Sequence, residues 1–179
     1  TANYPDAELI VLLIDERPDI SDRKIPGNWE GDLIIGQDGA SACATLVERT
    51  TRYLIIVALP LGRKADQVCD ALTRRIQGLP DGAMRTLTWD QGREMARHQR
   101  LTHDTGVEVF FAHPHSPWER GTNENTNRLI RRYLPKGTPI TSHQPYLDAI
   151  AYELNNCPRA TLGYRTPTEA FNELIATTH

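Results

Sequence analysis

Apolar residues in the first part of the chain alternate with polar ones or run in short stretches that are typical of β-strands. The stretches cover residues 29–36, 42–48 and 53–59, and they are rich in β-branched side chains. Turn-like segments at 37–39 and 49–52 separate them. This pattern predicts three antiparallel strands joined as a meander.

A change to helical spacing follows the third strand. Apolar residues recur three or four positions apart at Ala65, Val68, Cys69, Leu72 and Ile76. Gly78 and Pro80 predict the end of this helix. Residues 84–89 then predict a fourth strand that delivers Asp90 at its end, 94–105 a helix, and 107–111 a short fifth strand. The order βββαβαβ followed by helices indicates an α/β fold, with a mixed five-stranded sheet flanked by helices.

The second half of the chain predicts three helices. Ser116-Pro117-Trp118-Glu119 fits a capping box, although Gly121 moves the expected start of the helix towards Thr122. On a helix through 124–134, one side is apolar (Leu129, Ile130, Tyr133, Leu134) and the other polar (Glu124, Asn127, Arg128, Arg131). An amphipathic helix is expected around 147–154. Thr166-Pro167-Thr168-Glu169, a second capping-box pattern, predicts a last one.

Composition limits the classes that remain. A chain of 179 residues suits one domain, which we expect over 25–179, preceded by a helix at 5–14 and a linker arm within 1–24. No apolar stretch approaches the roughly 20 residues of a membrane-spanning helix, so a cytoplasmic protein without a membrane partner is expected. Cys43, Cys69 and Cys157 lack C-x-x-C spacing and are expected to be buried, reduced thiols.

The charge is segregated along the chain. Residues 1–40 carry nine acidic residues against three basic ones, whereas 118–140 carry five basic residues against two acidic ones. A basic face can hold phosphates even though the net charge is −3, because exposed charges more than about 10 Å away are largely screened. A local nucleic-acid-binding surface is therefore compatible with the composition.

Three acidic residues carry the candidate chemistry. Asp32 interrupts an apolar run, Asp90 ends one, and Glu124 opens a polar helix. Each has an ordinary explanation: Asp32 as a turn residue, Asp90 as a cap of the next helix, and Glu124 as an acid at the positive end of its helix. If the three converge, carboxylates about 4 Å apart repel by roughly 4 kcal/mol at an effective dielectric of 20, so a cation is required. Two Mg²⁺ or Mn²⁺ ions suit such ligands and phosphodiester chemistry.

Longer motifs surround these acids. The blocks 27–34 (GNWEGDLI), 88–92 (TWDQG) and 114–125 (PHSPWERGTNEN), with the stretch 154–167, resemble the insertion-sequence-thirty family of bacterial DDE transposases. The resemblance covers residue 24 to the end. It implies a ribonuclease-H-like, retroviral-integrase-type fold in which Asp32, Asp90 and Glu124 are the catalytic metal ligands. It also implies cleavage of transposon-end DNA followed by attack of the freed 3′-hydroxyl on target DNA.

Further residues around the acidic trio are candidates for holding DNA: Gln91, His115, Trp118, Arg120, Asn123, Asn127, Arg131 and Lys136. Trp118 could instead be a core anchor, and Arg131 with Arg132 a solvated helix face. The family also implies a bacterial, nucleoid-associated protein that acts as a homo-oligomer on transposon ends and target DNA. Two rival functions remain: a nuclease of the same fold that only hydrolyses, and an inactive DNA-binding or scaffolding module.

Overall fold

The computed structural model describes residues 27–90, 92–112 and 121–177. The predicted helix at 5–14, the arm within 1–24 and the capping box at 116–119 lie outside these residues. The described residues form five strands and five α-helices in the predicted order, together with three short 3-10 turns. Within the described residues, no helix combines the length and apolar character needed to cross a membrane.

The sheet is mixed, with the strand order β3-β2-β1-β4-β5. The strands are β1 (Asn28–Ile35), β2 (Ala42–Glu48), β3 (Leu54–Ala58), β4 (Thr86–Trp89) and β5 (Glu108–Phe111). The first three form the predicted antiparallel meander. Strand β4 then pairs in parallel with β1, and β5 in parallel with β4. The central strand β1 therefore has an antiparallel neighbour on one side and a parallel one on the other.

Helices cover both faces of the sheet. They are α1 (Ala65–Gln77), α2 (His98–Thr105), α3 (Gly121–Ile130), α4 (Gln144–Asn155) and α5 (Pro167–Thr177). One buried apolar cluster joins the sheet to α1, α2 and the end of α5. A second cluster joins the opposite face to α3 and α4. The alternation of strand side chains produces the two cores, because successive residues of β1 point to opposite faces.

Gly31 lets an aromatic ring pack directly against β1. A Cβ atom at this position would lie 2.1 Å from two ring carbons of Trp89. The Trp89 side chain is fully buried, and its indole N–H donates to Glu94 Oε1 at 3.1 Å. This close approach fixes β4 against β1, which sets the relation between the strands that carry Asp32 and Asp90.

Side chains of α4 cover the edge strand β3. The Asn155 amide donates to Leu54 O and accepts from Leu54 N, both at 2.8 Å. Gln144 makes the equivalent pair of contacts, with Ile56 O and Ala58 N, at 2.7 Å each. These amides supply the hydrogen bonds that a further strand would have made, so the edge is closed to other chains.

Two predicted helices differ from the structure. The 94–105 segment is a 3-10 turn at Arg93–Met95 followed by α2, because Arg97 adopts ψ 20° between them. The 124–134 helix ends at Ile130 and continues as turns. Pro135 disfavours helical geometry only at Leu134, the residue before it, and the helix ends four residues earlier. The predicted apolar side is nevertheless confirmed, because Leu129, Ile130, Tyr133 and Leu134 all pack in the second core.

The structure tests two other local predictions. The capping box at the last helix is confirmed, since Thr166 N donates to Glu169 Oε2 at 2.8 Å and Glu169 N to Thr166 Oγ1 at 3.1 Å. Cys43 and Cys69 are buried as expected, but the prediction for Cys157 was wrong, because its side chain is exposed. Cys157 follows the C-terminus of α4, where the chain turns away from the core.

Candidate active site

The pairing of β1 with β4 brings Asp32 and Asp90 to one end of the sheet. In this parallel pair Glu30 lies opposite Thr88. Asp32 and Asp90 each follow two residues further along, on the same face, because strand side chains alternate with a period of two. The two aspartates therefore occupy matching positions along two adjacent strands, as parallel pairing in the centre of a sheet allows.

Asp32 is not a turn residue, and Asp90 does not occupy the N-cap position of the turn that follows it. Asp32 lies inside β1 opposite Thr45 of β2, so it is not a turn residue. Its Oδ1 accepts from Leu33 N at 2.8 Å. Asp90 is exposed just beyond β4, and the 3-10 turn that follows has Gly92 at its N-cap position. Strand pairing thus places Asp32, whereas Asp90 lies where the chain turns after β4, since Gly92 N donates to Asp90 O at 2.7 Å.

Glu124 belongs to the first turn of α3 and is exposed. Three positions later, Asn127 donates through Nδ2 to Asp32 Oδ2 at 3.0 Å. Residues three apart on a helix are neighbours on its surface. Glu124 is therefore on the side of α3 next to the contact with Asp32, although its acidic character also suits the positive end of a helix.

A buried carboxylate fixes the start of α3 on β1. Glu30 is 1% exposed, and its Oε2 accepts from Asn123 N at 2.9 Å. Its Oε1 lies 3.0 Å from Arg49 Nε. Glu30 and Asp32 are two residues apart on one face of β1, whereas Asn123 immediately precedes Glu124. This contact therefore fixes the position of Glu124 relative to Asp32 along the direction of β1.

Thr45 connects the two asparagines of α3. Its side chain is fully buried, and its Oγ1 lies 3.2 Å from Asn123 Oδ1 and 3.1 Å from Asn127 Oδ1. One hydroxyl proton serves only one acceptor, and the amide orientations are exchangeable. Turning the Asn123 amide would let its Nδ2, which has no partner among the described residues, donate to Thr45. The resulting chain runs from Asn123 through Thr45 and Asn127 to the carboxylate of Asp32.

Burial favours the neutral form of the Glu30 carboxyl group. Desolvation raises the pKa of Glu30 above its ordinary value of 4.5, and this effect exceeds the opposing effects of the Asn123 N–H, Arg49, Thr122 and Arg52. The carboxylate is thus held by donors that only partly offset the loss of water. Glu48, at the end of β2, is buried in the same way, and burial raises its pKa as well.

The donor set of the trio fits a hard divalent cation, because all three side chains are carboxylates. The arrangement of these three side chains only partly matches that of a metal site. Among the described residues, no group of three histidine, cysteine or acidic side chains is gathered closely enough to hold an ion. Asp32 and Asp90 belong to adjacent strands, and Glu124 belongs to the helix that contacts Asp32 through Asn127, but the fold does not bring all three side chains together.

The candidate DNA contacts fall into different settings. Gln91, His115, Trp118 and Arg120 lie outside the described residues. Of the others, Lys136 is exposed, and Arg131 donates through Nη2 to Ile35 O at 3.0 Å and so closes the end of β1. Asn123 is 1% exposed and Asn127 is directed at Asp32. The two asparagines therefore lie between helix and sheet, where they position the acidic residues.

Sequence reasoning missed Glu30 and Thr45. The alternation of β1 offered a signal for Glu30, because a glutamate two residues before Asp32 shares its face of the strand. Thr45 gave no such signal, since threonine is common in strands and its partners come from a helix about 80 residues later. Only the packing of α3 across β1 and β2 shows what this hydroxyl contacts.

Comparison with known proteins agrees with the geometry. The integrase core domain family matches residues 22–117. The chain is 48% identical over 160 residues to the transposase for insertion sequence element IS1086 of Cupriavidus metallidurans, covering 89% of this chain and 47% of the relative. It is 49% identical over 160 residues to the transposase InsI for insertion sequence element IS30A of Escherichia coli, covering 89% and 41%. The chain thus spans less than half the length of these relatives.

A solved structure shares the fold. The catalytic core domain of BIV integrase superimposes with a TM-score of 0.66 at 22% sequence identity, covering 86% of this chain and 99% of that domain. The predicted ribonuclease-H-like, retroviral-integrase-type fold is confirmed. With more than half of its residues matched by the family and with this architecture, the chain belongs to the integrase core domain family.

Proposed function

We propose that this chain is the catalytic core of a DNA transposase, which cleaves phosphodiesters at transposon ends and joins the freed 3′-hydroxyl to target DNA. The observation that carries the proposal is the delivery of Asp32 and Asp90 by adjacent parallel strands, with Glu124 on a helix tied to Asp32 through Asn127. Transposases at 48% and 49% identity support the reaction class.

In this proposal Asp32, Asp90 and Glu124 hold two Mg²⁺ or Mn²⁺ ions. Such a pair supplies an activated hydroxyl and stabilises the leaving oxygen of an in-line displacement. Asn127 holds the carboxylate of Asp32 by its 3.0 Å hydrogen bond, so this residue keeps one orientation while the substrate is bound. Glu30 holds the first turn of α3 in place, and so limits where Glu124 can reach.

The remaining expectations belong to the same proposal. DNA ends and target DNA are the partners, and a homo-oligomer is expected because two ends must be joined. Lys136 is a candidate for phosphate contact, as are Gln91, His115, Trp118 and Arg120. The domain at 25–179 with a preceding arm and a nucleoid-associated location are further parts of this proposal. The hydrolysis-only nuclease and the inactive module are not favoured, because the relatives are transposases and this chain has an acidic residue at all three positions.

The test supplies the chain with a precut duplex end that bears a free 3′-hydroxyl, a second duplex as target, and Mn²⁺ or Mg²⁺. Joined products are expected from the wild type. Asp32→Asn, Asp90→Asn and Glu124→Gln should abolish joining. Asp90→Asn and Glu124→Gln should leave the melting temperature nearly unchanged, because both side chains are exposed. Asp32→Asn should lower it slightly, because asparagine can accept only one of the two hydrogen bonds from Leu33 N and Asn127 Nδ2. Asp81→Asn, an exposed aspartate outside the trio, is the matched control and should be active.

The possible results separate the rival functions. Hydrolysis without joined products would favour the nuclease. No reaction with either metal, together with unchanged DNA binding of all three variants, would favour the inactive module. Joining that survives Asp90→Asn would contradict the assignment of the trio.

A further inference from the structure

A polar cavity lies on the side of α3 that faces away from the candidate active site. Its volume is about 300 Å³, and it is lined by Arg52, Thr122, Asn125, Thr126, Leu129, Arg159 and Thr161. Three separate parts of the fold contribute: the turn between β2 and β3, one face of α3, and the segment between α4 and α5. Among the described residues, no acidic side chain lines this cavity.

The α3 residues of the cavity form one stripe. Thr122, Asn125, Thr126 and Leu129 are spaced three or four positions apart and so share a face. At 3.6 residues per turn, Glu124 lies on nearly the opposite side of the helix. A helix with its side chains is about 10–12 Å across, so the cavity is separated from Glu124 by about that distance.

The two arginines are held in place by the fold. Arg52 donates through Nη1 to Thr122 Oγ1, and its backbone N–H donates to Glu48 O at 2.9 Å. Arg159 donates through Nη2 to Leu154 O at 2.9 Å. Arg52 and Arg159 are half-buried residues, and each guanidinium group has five N–H donors in a fixed plane. Little side-chain entropy therefore remains to be lost when a ligand is bound.

Arg52 and Arg159 are the charged side chains in the described lining of the cavity. The positive charge of Arg52 lowers the pKa of Glu30, and so does that of Arg49, whose Nε lies 3.0 Å from the same carboxyl group. The described lining of the cavity thus contains two guanidinium groups, those of Arg52 and Arg159, and no carboxylate. Arginine forks with hydroxyl and amide groups around them suit a tetrahedral oxyanion.

We propose that the Arg52–Arg159 cavity binds a backbone phosphate of DNA, at a point separate from the cleaved phosphodiester. The proposal rests on the proposed transposase function, and it names a second contact by which the core grips its substrate. A duplex is wide enough to reach both sides of α3, so one DNA molecule can be held at the cavity while another of its phosphates lies at the acidic trio.

DNA affinity at several salt concentrations tests the cavity. Fluorescence anisotropy of a labelled duplex is measured in a Glu124→Gln background, so that no reaction occurs. Each neutralised phosphate contributes about 0.9 to the slope of log affinity against log salt. The double variant Arg52→Gln with Arg159→Gln should lower this slope by about 1, whereas Arg74→Gln on α1 should leave it unchanged. The double lysine variant keeps both charges and should keep most of the slope.

A second variant avoids the structural contacts of the arginines. Thr161 is exposed at the mouth of the cavity, and Thr161→Glu adds an anion there without altering Arg52 or Arg159. Reduced DNA affinity in Thr161→Glu at an unchanged melting temperature supports the proposal. An unchanged slope in the double glutamine variant together with unchanged affinity in Thr161→Glu overturns it.

Three further outcomes are distinguishable. If inorganic phosphate saturates the cavity without competing with DNA, the cavity is a site for free phosphate and the assignment to DNA is wrong. If joining by the unmodified core persists while the salt slopes are unchanged, only the cavity proposal fails. If the chain neither binds DNA nor joins it, the proposed function fails.

Discussion

Replacing Thr45 by valine removes one buried hydroxyl group while keeping the shape of the side chain. Thr45 is 0% exposed, and its Oγ1 lies within 3.1–3.4 Å of Asp32 O, Asn123 Oδ1 and Asn127 Oδ1. Water cannot replace the hydroxyl at this depth. One or both amides of the asparagines therefore lose a partner, at a cost of about 1–3 kcal/mol. No cavity is added, because valine fills the same volume.

The expected loss is measurable by thermal unfolding. For a chain of this size, each 1 kcal/mol lowers the melting temperature by about 2–4 °C, which predicts a decrease of about 2–12 °C. Strand joining should fall further than stability alone would explain, because Asn127 no longer holds Asp32 in one orientation. Apparent Mn²⁺ affinity, measured by titration, should fall in parallel.

Thr45→Ser is the matched control, since it keeps the hydroxyl and loses only a methyl group, worth about 0.8 kcal/mol. It should retain joining and Mn²⁺ affinity. Equal losses in the valine and serine variants would show that packing, and not the hydrogen-bonded chain, matters at this position. A valine variant with the stability and activity of the wild type would refute the reasoning.

Three other substitutions follow from the structure. Glu30→Gln should destabilise the fold less as the pH rises. Burial raises the pKa of Glu30 above 4.5, so the stability that its carboxyl group provides is complete below pH 4.5 and is lost as the pH passes the folded-state pKa. Urea unfolding at several pH values checks this, and a destabilisation that grows with pH would mean that the ion pair with Arg49 dominates. Asn155→Leu should cost about 2–6 kcal/mol, because two buried backbone groups of β3 lose partners; an unchanged unfolding midpoint in urea would contradict this. Gly31→Ala should prevent native packing, since its Cβ would overlap the Trp89 ring, and a native near-ultraviolet circular dichroism spectrum would count against it.

Local signals accounted for much of the fold. The three strands of the meander, the helix at Ala65–Gln77 and the capping box at Thr166 were predicted because hydrophobic period and cap chemistry act within a few residues. Predictions failed where a single backbone position decided the outcome. Arg97 breaks the expected helix, and nothing in its immediate sequence marks that break.

The acidic trio shows the same division. Asp32 and Asp90 could be proposed from their places in apolar runs and from the family motifs around them. Their matching positions on adjacent strands could not be predicted, because the pairing of β1 with β4 joins residues 58 positions apart. The roles of Glu30 and Thr45 were likewise hidden, since each is decided by where α3 crosses the sheet.

The order of elements, the two-sided character of the strands and the identity of the acidic residues were determined by the sequence itself, because they depend on side-chain type and short-range spacing. The tertiary structure alone decided that Asn123 is buried, that Asn127 holds Asp32, and that two distant arginines line one cavity. These contacts arise when separate elements pack, and the direction of a polar side chain is then fixed by partners that no local pattern encodes.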